Sequence, residues 1–343
     1  MKFITPSVEI LRTGLEKDFM TPEQFIERVG RTCYKSEDKI TEDSAAKFVT
    51  ALIKRGHEAM VEHWSLIFKT DVHHYDQMLD DYDMLTHNGD LELPELLRPF
   101  LRFTDQTMFD GEVRCIISGN IRAWRDYLEA CVTGFGFIPS YMHGTVKNNP
   151  LFFPEYQNFV PNTIYSNPLT PITVSDLVGK VECDIHHDVT VKFICDRGVT
   201  HEIVRHRTSS FAQESTRYCN YSKEKYDCGI TIAEPQFFRN AIAADNKRVV
   251  DICYRIAEQS EQAYLELLDA GCTPQEARFA LITGLKTEII MTTNLQGWDH
   301  FFFLRDARDA HPDIQYVAST ANDMFKEQVY TEAVVKSICE DCE

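Results

Sequence analysis

Residues 189–218 read VTVKFICDRGVTHEIVRHRTSSFAQESTRY, and this stretch decides the fold of the chain. Apolar side chains alternate from Val189 to Cys195, a pattern that is typical of a β-strand. The next segment, GVTHEIVRHR, follows Arg197 and predicts a short helix. We therefore expect a strand, a turn and a helix that delivers the basic residues 205–207 at its end.

These basic residues are unusual because the chain as a whole is acidic. Its 343 residues include 35 Lys and Arg against 53 Asp and Glu, a formal net charge of −18. Such acidity argues against general binding to nucleic acid or to anionic membranes, which require a positive surface. It leaves room for a small anionic ligand in one basic pocket.

The residue types within 205–218 suit a phosphorylated ligand. Arginine offers phosphate a rigid fork of donors, and Ser210, Ser215 and Thr216 add hydroxyl donors. His206 lies between two arginines, which disfavours its protonated form. The set indicates a nucleotide site. The alternative is a solvated basic helix end followed by a polar loop, and the residue types alone leave both interpretations open.

The composition predicts a globular protein of the cytoplasm. Hydrophobic residues make up 43% and charged residues 26% of the chain, as in ordinary globular domains. We find neither the apolar core of a signal peptide nor an apolar run of ~18 residues that would predict a membrane span. The eleven cysteines indicate free thiols. Cys339 and Cys342 form one CxxC motif, but a zinc ribbon needs a second pair, so we predict no metal site.

Local signals predict several further elements. Thr21 and Gln24, with Pro22 between them, form a capping box that opens a helix. The segment EVRCIISGNIRAWRDYLEA, residues 112–130, predicts a strand, a turn and a helix. Other predicted helices span about 43–55, 247–270 and 312–330. We find no internal repeat.

Residues 73–187 differ in sequence pattern from the segments on either side, and we predict that they form an insertion or subdomain. The catalytic domain is then predicted to comprise residues 1–72 and 188–343. Within the insertion, Ser118-Gly119-Asn120 precedes a helix with Arg122 and Arg125. One interpretation is an anion site at the helix N-terminus. The other, which we favour, is a helix that packs into the core through apolar residues such as Trp124.

The sequence resembles one family in five segments that follow the family order. Arg205-His206-Arg207, seven residues and then Ser215 resemble the RHR-x7-S signature of the flavin-dependent thymidylate synthases. The other four segments are RTCYKSE (31–37), RGHEAMVEH (55–63), AYLELLDAGCTPQEAR (263–278) and TTNLQGWDHFFFLR (292–305). The resemblance implies an α+β fold, with a mixed sheet flanked by helices and enlarged by the insertion.

The resemblance also implies a reaction. Members of this family form dTMP from dUMP, with methylenetetrahydrofolate as carbon donor and NADPH as the source of electrons through FAD. They activate the pyrimidine without a covalent cysteine adduct, and they are homotetramers whose active sites are shared between subunits. Two alternatives stay open: a relative that makes another 5-substituted pyrimidine nucleotide, and a nucleotide-binding protein without catalysis.

Site residues follow from the same resemblance. Arg305 matches the arginine that polarises the pyrimidine, which makes it the predicted catalytic residue. The residues that match the dUMP site are Glu202, Ile203, Val204, Arg205, Gln213, Glu214, Ser215, Thr216, Arg217 and Arg278. The residues that match the flavin and folate contacts are His57, Ala59, Glu62, Arg205, His206, Arg207, Gln213, Asn294, Gln296, His300 and His311.

Overall fold

The computed structural model describes residues 1–15, 20–87, 100–163 and 167–330. Ten strands lie in these ranges: β1 (Lys2–Ile4), β2 (Ser7–Arg12), β3 (Ser65–Thr70), β4 (Leu101–Thr107), β5 (Val113–Asn120), β6 (Thr170–Ile172), β7 (Asp188–Asp196), β8 (Ser210–Gln213), β9 (Thr231–Ala233) and β10 (Lys286–Asn294). The same ranges contain twelve α-helices: α1 (Pro22–Tyr34), α2 (Ser44–Lys54), α3 (Val72–His87), α4 (Ile121–Phe135), α5 (His143–Asn148), α6 (Gly179–His186), α7 (Arg197–Ile203), α8 (Gln236–Ala243), α9 (Lys247–Asp269), α10 (Pro274–Ala277), α11 (Leu295–Arg305) and α12 (Pro312–Gln328). The CxxC motif lies outside the described residues.

Two four-stranded sheets carry the fold. One has the strand order β2-β7-β10-β8 and the other has the order β4-β5-β3-β6. Neighbouring strands within both sheets are antiparallel, whereas β1 and β9 form a separate parallel pair. Helices pack against these sheets, so the fold class is α+β, as the sequence predicted. Among the described strands the parallel pairing lies outside the two four-stranded sheets, so neither of these is itself the mixed sheet that was expected.

The strand and helix expected at the start of the quoted stretch are β7 and α7. Val189, Val191 and Phe193 are fully buried, because β7 lies inside its sheet between β2 and β10. The carboxylate of Asp196 accepts the backbone N–H of Val199 at 2.8 Å and caps α7. The helix ends at Ile203, so the three basic residues follow it in a turn.

The other local signals also give the predicted elements. The Thr21 hydroxyl accepts the N–H of Gln24 at 3.4 Å, and the Gln24 side-chain oxygen accepts the N–H of Thr21 at 3.0 Å. This reciprocal pair is the predicted capping box at the start of α1. Helices α2, α9 and α12 match their predicted spans within two residues at either end.

Two of the strands run directly into helices that begin with an asparagine cap. The Asn120 side-chain oxygen accepts the N–H of Ala123 at 2.8 Å at the start of α4. The Asn294 oxygen accepts the N–H of Gly297 at 2.9 Å at the start of α11. Trp124 in α4 is fully buried, which confirms the packing interpretation of this segment.

The insertion shares a sheet with the residues that precede it. Strand β3 ends before residue 73, yet its two neighbours, β5 and β6, both lie within 73–187. Ile26 and Val49 of the first segment share one apolar core with Trp124 and Tyr127 of the insertion. The division at 72/73 stays a prediction. In the described ranges no helix combines the length and the apolar content that a membrane span requires.

Candidate functional site

A cavity of about 780 Å³, named here the central cavity, is lined by residues of both four-stranded sheets. Many of the residues predicted to contact the flavin line it, although they come from segments that are far apart in the chain. These are Glu62, Arg205, His206, Arg207, Asn294, Gln296 and His300, and the predicted catalytic residue Arg305 joins them. The fold therefore brings three of the recognised segments to one place.

Arg305, the last residue of α11, is fixed by three hydrogen bonds. Its Nε donates to Nε2 of His206 at 3.1 Å, and its Nη1 donates to the Glu202 carboxylate at 2.9 Å. Its Nη2 donates to the Glu202 backbone carbonyl at 3.4 Å. A guanidinium carries five N–H groups, so two of them remain for a ligand. The arrangement is a preoriented cation with free donors.

The imidazole of His206 accepts a hydrogen bond from this cation and is neutral. Burial lowers the pKa of His206 to about 4, with further contributions from the charge of Arg305 and from His300. A protonated ring has no lone pair for the Arg305 Nε–H. The sequence predicted a neutral imidazole, and the structure confirms it. Burial is the main cause, and the cation that adds to it is Arg305, which lies far away in the sequence, rather than either adjacent arginine.

One wall of the central cavity is electropositive. The side chains of Arg205 and Arg207 are exposed there, and no described residue pairs with either. Helix α11 begins at the same wall, where Asn294, Gln296 and Gly297 line the cavity. A helix N-terminus carries partial positive charge and unpaired N–H groups, which bind phosphate. The wall suits a ligand with a diphosphate group.

Three of the remaining predicted cofactor residues lie at two other cavities, whereas Gln213 lines none of the three. His57 and Ala59 line one of about 580 Å³, together with Tyr218. His311 lines one of about 420 Å³, and Glu202 lies beside it in the same wall. The ion pair of Glu202 with Arg305 thus lies between this third cavity and the central cavity.

The predicted dUMP loop, residues 213–217, rests on a network of buried charges. Glu214 pairs with Lys286 at 2.8 Å, and Lys286 also pairs with Glu288 at 2.6 Å. Lys35 forms a further ion pair with Glu288. Burial alone would raise the pKa of Glu288, but Lys286 and Lys35 lower it to about 2. The network therefore holds the Glu288 carboxylate ionised and fixes the loop to the sheet.

Most of the predicted dUMP residues do not line the central cavity of their own chain. Arg217 Nε donates to the Gln275 side-chain oxygen at 3.1 Å. Arg278 follows Gln275 by three residues, so the two arginines occupy neighbouring parts of an exposed surface. Gln213 Nε2 donates to the Thr200 hydroxyl at 3.1 Å. The others divide by exposure: Ile203 and Thr216 are buried, Ser215 is half-buried and Val204 is exposed.

The sequence interpretation missed an ion pair in the cavity wall. Arg102 of β4 donates from Nη1 and Nη2 to the two carboxylate oxygens of Asp188, each at 2.7 Å. Burial alone would raise the pKa of Asp188, but the charge and hydrogen bonds of Arg102, helped by the Ser65 hydroxyl, hold it below its ordinary value. Phe100, Phe103 and Asn120 of the insertion line the same cavity. Only Asn120 had a local signal, its position in the SGN turn.

The described residues form no group of three or more His, Cys, Asp or Glu side chains that could hold a metal ion. The histidine pair 186–187 is instead engaged in hydrogen bonds. Both ring nitrogens of His186 bond hydroxyls, Nδ1 to Ser118 at 2.7 Å and Nε2 to Thr104 at 2.8 Å. The Nε2 of His187 bonds the Thr13 carbonyl at 2.5 Å.

Comparison with known proteins gives one consistent family. Residues 185–329 match the model of the family described as thymidylate synthase complementing protein. A flavin-dependent thymidylate synthase of Pyrococcus furiosus is 33% identical over 124 residues, which cover 36% of this chain and 48% of that protein. A protein of the same name from Geobacter sulfurreducens is 30% identical over 122 residues, 36% of this chain and 49% of the relative. The flavin-dependent thymidylate synthase of Corynebacterium efficiens is 30% identical over 139 residues, which cover 39% of this chain and 56% of that protein. The chain spans about half the length of the curated relatives it matches.

Proposed function

We propose that this chain, whose residues 185–329 match the family model of thymidylate synthase complementing proteins, is a flavin-dependent thymidylate synthase. It would form dTMP from dUMP, with methylenetetrahydrofolate as carbon donor and NADPH as reductant of FAD. The observation that carries the proposal is the central cavity. Its wall combines two unpaired arginines with Arg305, which is held between Glu202 and His206.

The residues of the cavity fit a flavin dinucleotide. The volume of the central cavity, about 780 Å³, lies within the ordinary range for cofactor sites. Arg205, Arg207 and the start of α11 would hold the diphosphate, because they supply unpaired donors and positive charge at one wall. Bound flavin would supply the reducing equivalents for the methyl group.

Arg305 would act on the pyrimidine through its two free N–H groups. Its orientation is already set by Glu202 and His206, so no reorganisation is needed when negative charge develops on a pyrimidine oxygen. Fixed donors of this kind stabilise developing charge and commonly contribute a factor of about 10²–10³ to turnover. Neutral His206 is required for this orientation. No described cysteine lines the central cavity, and at the cavity of about 580 Å³ burial raises the pKa of the half-buried Cys33 thiol to about 11.

The dUMP loop would serve the active site of a neighbouring subunit in a homotetramer. Ser215, Arg217 and Arg278 do not line the central cavity of their own chain, and both arginines are exposed. Mixing two variants that are each impaired at low dUMP, the single variant Arg305→Ala and the double variant Ser215→Ala/Arg217→Ala, should then restore activity in mixed tetramers. A mixture that stays as inactive as its parts would contradict shared sites.

The cytoplasm is the compartment that suits this chemistry. The nine cysteines among the described residues are free thiols, a state that a reducing compartment maintains. NADPH and folate would be co-substrates that enter and leave during each turnover.

The absorbance spectrum of the purified protein is the first test, followed by its reduction with NADPH in the presence and absence of dUMP. We expect a flavin spectrum that bleaches faster with dUMP, and dTMP as the product. A product with another 5-substituent would support the related one-carbon transferase. A colourless protein that cannot be loaded with FAD would refute the proposal and leave a nucleotide-binding protein.

A further inference from the structure

The two four-stranded sheets contain the same strand–helix unit. In both, the first strand pairs with a later strand that in turn pairs with an edge strand: β3-β5-β4 in one sheet and β7-β10-β8 in the other, all antiparallel. The registers also correspond, because Ser65 lies opposite Asn120 and Asp188 lies opposite Asn294. Both asparagines cap the helix that follows. We name residues 58–135 the first unit and residues 179–305 the second unit.

The equivalence extends to the sequence around the two caps. Residues 116–124 read IISGNIRAW and residues 290–298 read IMTTNLQGW. Asparagine and tryptophan occupy the same positions, and the remaining residues are of similar type at most positions. Trp124 and Trp298 are both fully buried. The chain thus has a single pair of related segments, which lacks the fixed period of a repeat protein.

Equivalent residues exchange hydrogen bonds between the two units. His63, two residues before β3, bonds through Nδ1 to the Thr292 hydroxyl of the second unit at 2.7 Å. His186, two residues before β7, bonds through Nδ1 to the Ser118 hydroxyl of the first unit at 2.7 Å. Thr292 and Ser118 are equivalent in the alignment of 116–124 with 290–298. Such reciprocity is the mark of an isologous contact about an approximate twofold axis.

The central cavity lies where the two units meet. Both cap residues, Asn120 and Asn294, line it. The first unit contributes Glu62 and residues 100–103. The second unit contributes the turn at residues 205–207 and helix α11. One chain thus supplies two related halves of the cavity wall, and the second half carries the proposed chemistry.

We propose that the first unit forms the fixed half of the cofactor cavity wall that faces the second unit, and that Arg102 is the positioning residue through which the first unit orients α11. This inference rests on the proposed function. Arg102 Nη1 donates to the Ile185 carbonyl at 2.7 Å. The Asn294 Nδ2 donates to the same carbonyl at 3.0 Å, and Asn294 caps the helix that ends in Arg305. The Ile185 carbonyl therefore links the insertion to the start of α11.

The ion pair with Asp188 secures this link. Asp188 is 6% exposed, so loss of Arg102 would leave a buried carboxylate without its cation, and that defect alone is destabilising. A test must separate this charge effect from positioning. The variant Arg102→Met combined with Asp188→Asn removes both charges, and it therefore restores stability without restoring the hydrogen bond to Ile185.

Two quantities are measured for wild type, Arg102→Met and the double variant. The affinity for FAD is measured by fluorescence titration of the flavin-free protein, and the stability is measured by urea unfolding. Because Arg102→Met loses the charge-assisted hydrogen bond to the Ile185 carbonyl, we expect its Kd for FAD to rise about tenfold or more. We expect the double variant to regain stability relative to Arg102→Met and to keep the raised Kd. A double variant that binds FAD like wild type would overturn the positioning role.

The matched control is Arg114→Met in the same sheet. Arg114 also pairs with a buried carboxylate, Glu182 at 2.8 Å, and donates to a backbone carbonyl, that of Asp176. It does not line the central cavity. We expect this variant to lose stability and to bind FAD as wild type does; an equal loss of FAD affinity would overturn the proposal. A wild type that takes up no FAD would overturn the proposed function and this inference together.

Discussion

Replacing Glu288 by glutamine tests how strongly the buried charges beneath the dUMP loop stabilise the protein. Lys286 and Lys35 lower the pKa of Glu288 from 4.5 to about 2. At 1.36 kcal/mol per unit, the ionised folded carboxylate contributes about 3 kcal/mol to the free energy of unfolding at pH 7. Glutamine keeps the shape and lacks the charge, so Glu288→Gln should lose about this amount.

The pH dependence has a definite sign. The carboxylate has the higher pKa in the unfolded chain, so the unfolded state binds the proton first as the pH falls below about 5. The contribution is therefore full at neutral pH, falls by about 1 kcal/mol at pH 4 and is lost as the pH falls through the folded pKa of about 2. Urea unfolding of wild type and Glu288→Gln at pH 7, 5 and 4 measures this difference directly.

Glu9 provides the matched control. It also lies between two cations, Arg28 at 2.8 Å and Lys192 at 2.7 Å, but its side chain is 46% exposed. Exposed ion pairs contribute about 0–1 kcal/mol, so Glu9→Gln should cost no more than that. The reasoning would be refuted if Glu288→Gln lowered the free energy of unfolding at pH 7 by less than about 1 kcal/mol. It would also be refuted if the difference in this free energy between Glu288→Gln and Glu9→Gln were the same at every pH.

Three further predictions concern the proposed active site. Arg305→Ala should lower dTMP formation by about 10²–10³ with FAD still bound, whereas Arg308→Ala, at an exposed position, should be active; near-normal turnover of the first variant would contradict its role. Arg207→Ala should raise the Kd for FAD about tenfold, measured by flavin absorbance during titration, and a fully loaded purified variant would argue against the diphosphate assignment. Ser215→Ala should weaken dUMP binding about tenfold without loss of turnover at saturating dUMP, measured through dUMP-stimulated flavin reduction; complete inactivity would instead indicate a covalent nucleophile.

The elements that the sequence predicted well are those whose signals are local. The capping box of Thr21 and Gln24 sets the start of α1 without help from the rest of the chain. The alternation of apolar side chains from Val189 to Cys195 predicted the strand β7, which is buried within its sheet. The family segments predicted part of the set that meets at the central cavity, namely Glu62, the turn 205–207, the cap of α11 and three residues of α11, Arg305 among them.

The parts that escaped prediction depend on contacts between distant segments. Arg102 pairs with a carboxylate 86 residues away, and nothing near it in the sequence indicates this partner. The Glu202 carboxylate orients Arg305, although the two residues are 103 positions apart in the sequence. The related segments 116–124 and 290–298 were visible in the sequence, but one isolated pair lacks the periodicity by which repeats are recognised.

The position of β3 has a consequence for anyone who wishes to trim the protein. A shortened chain that joins residue 72 to residue 188 would follow the predicted domain division. It would also remove both partners of β3, which are β5 and β6. Six residues, Ser65–Thr70, would then present unpaired N–H and C=O groups along two edges. Such a strand recruits other chains, so the trimmed protein should aggregate rather than yield a minimal enzyme.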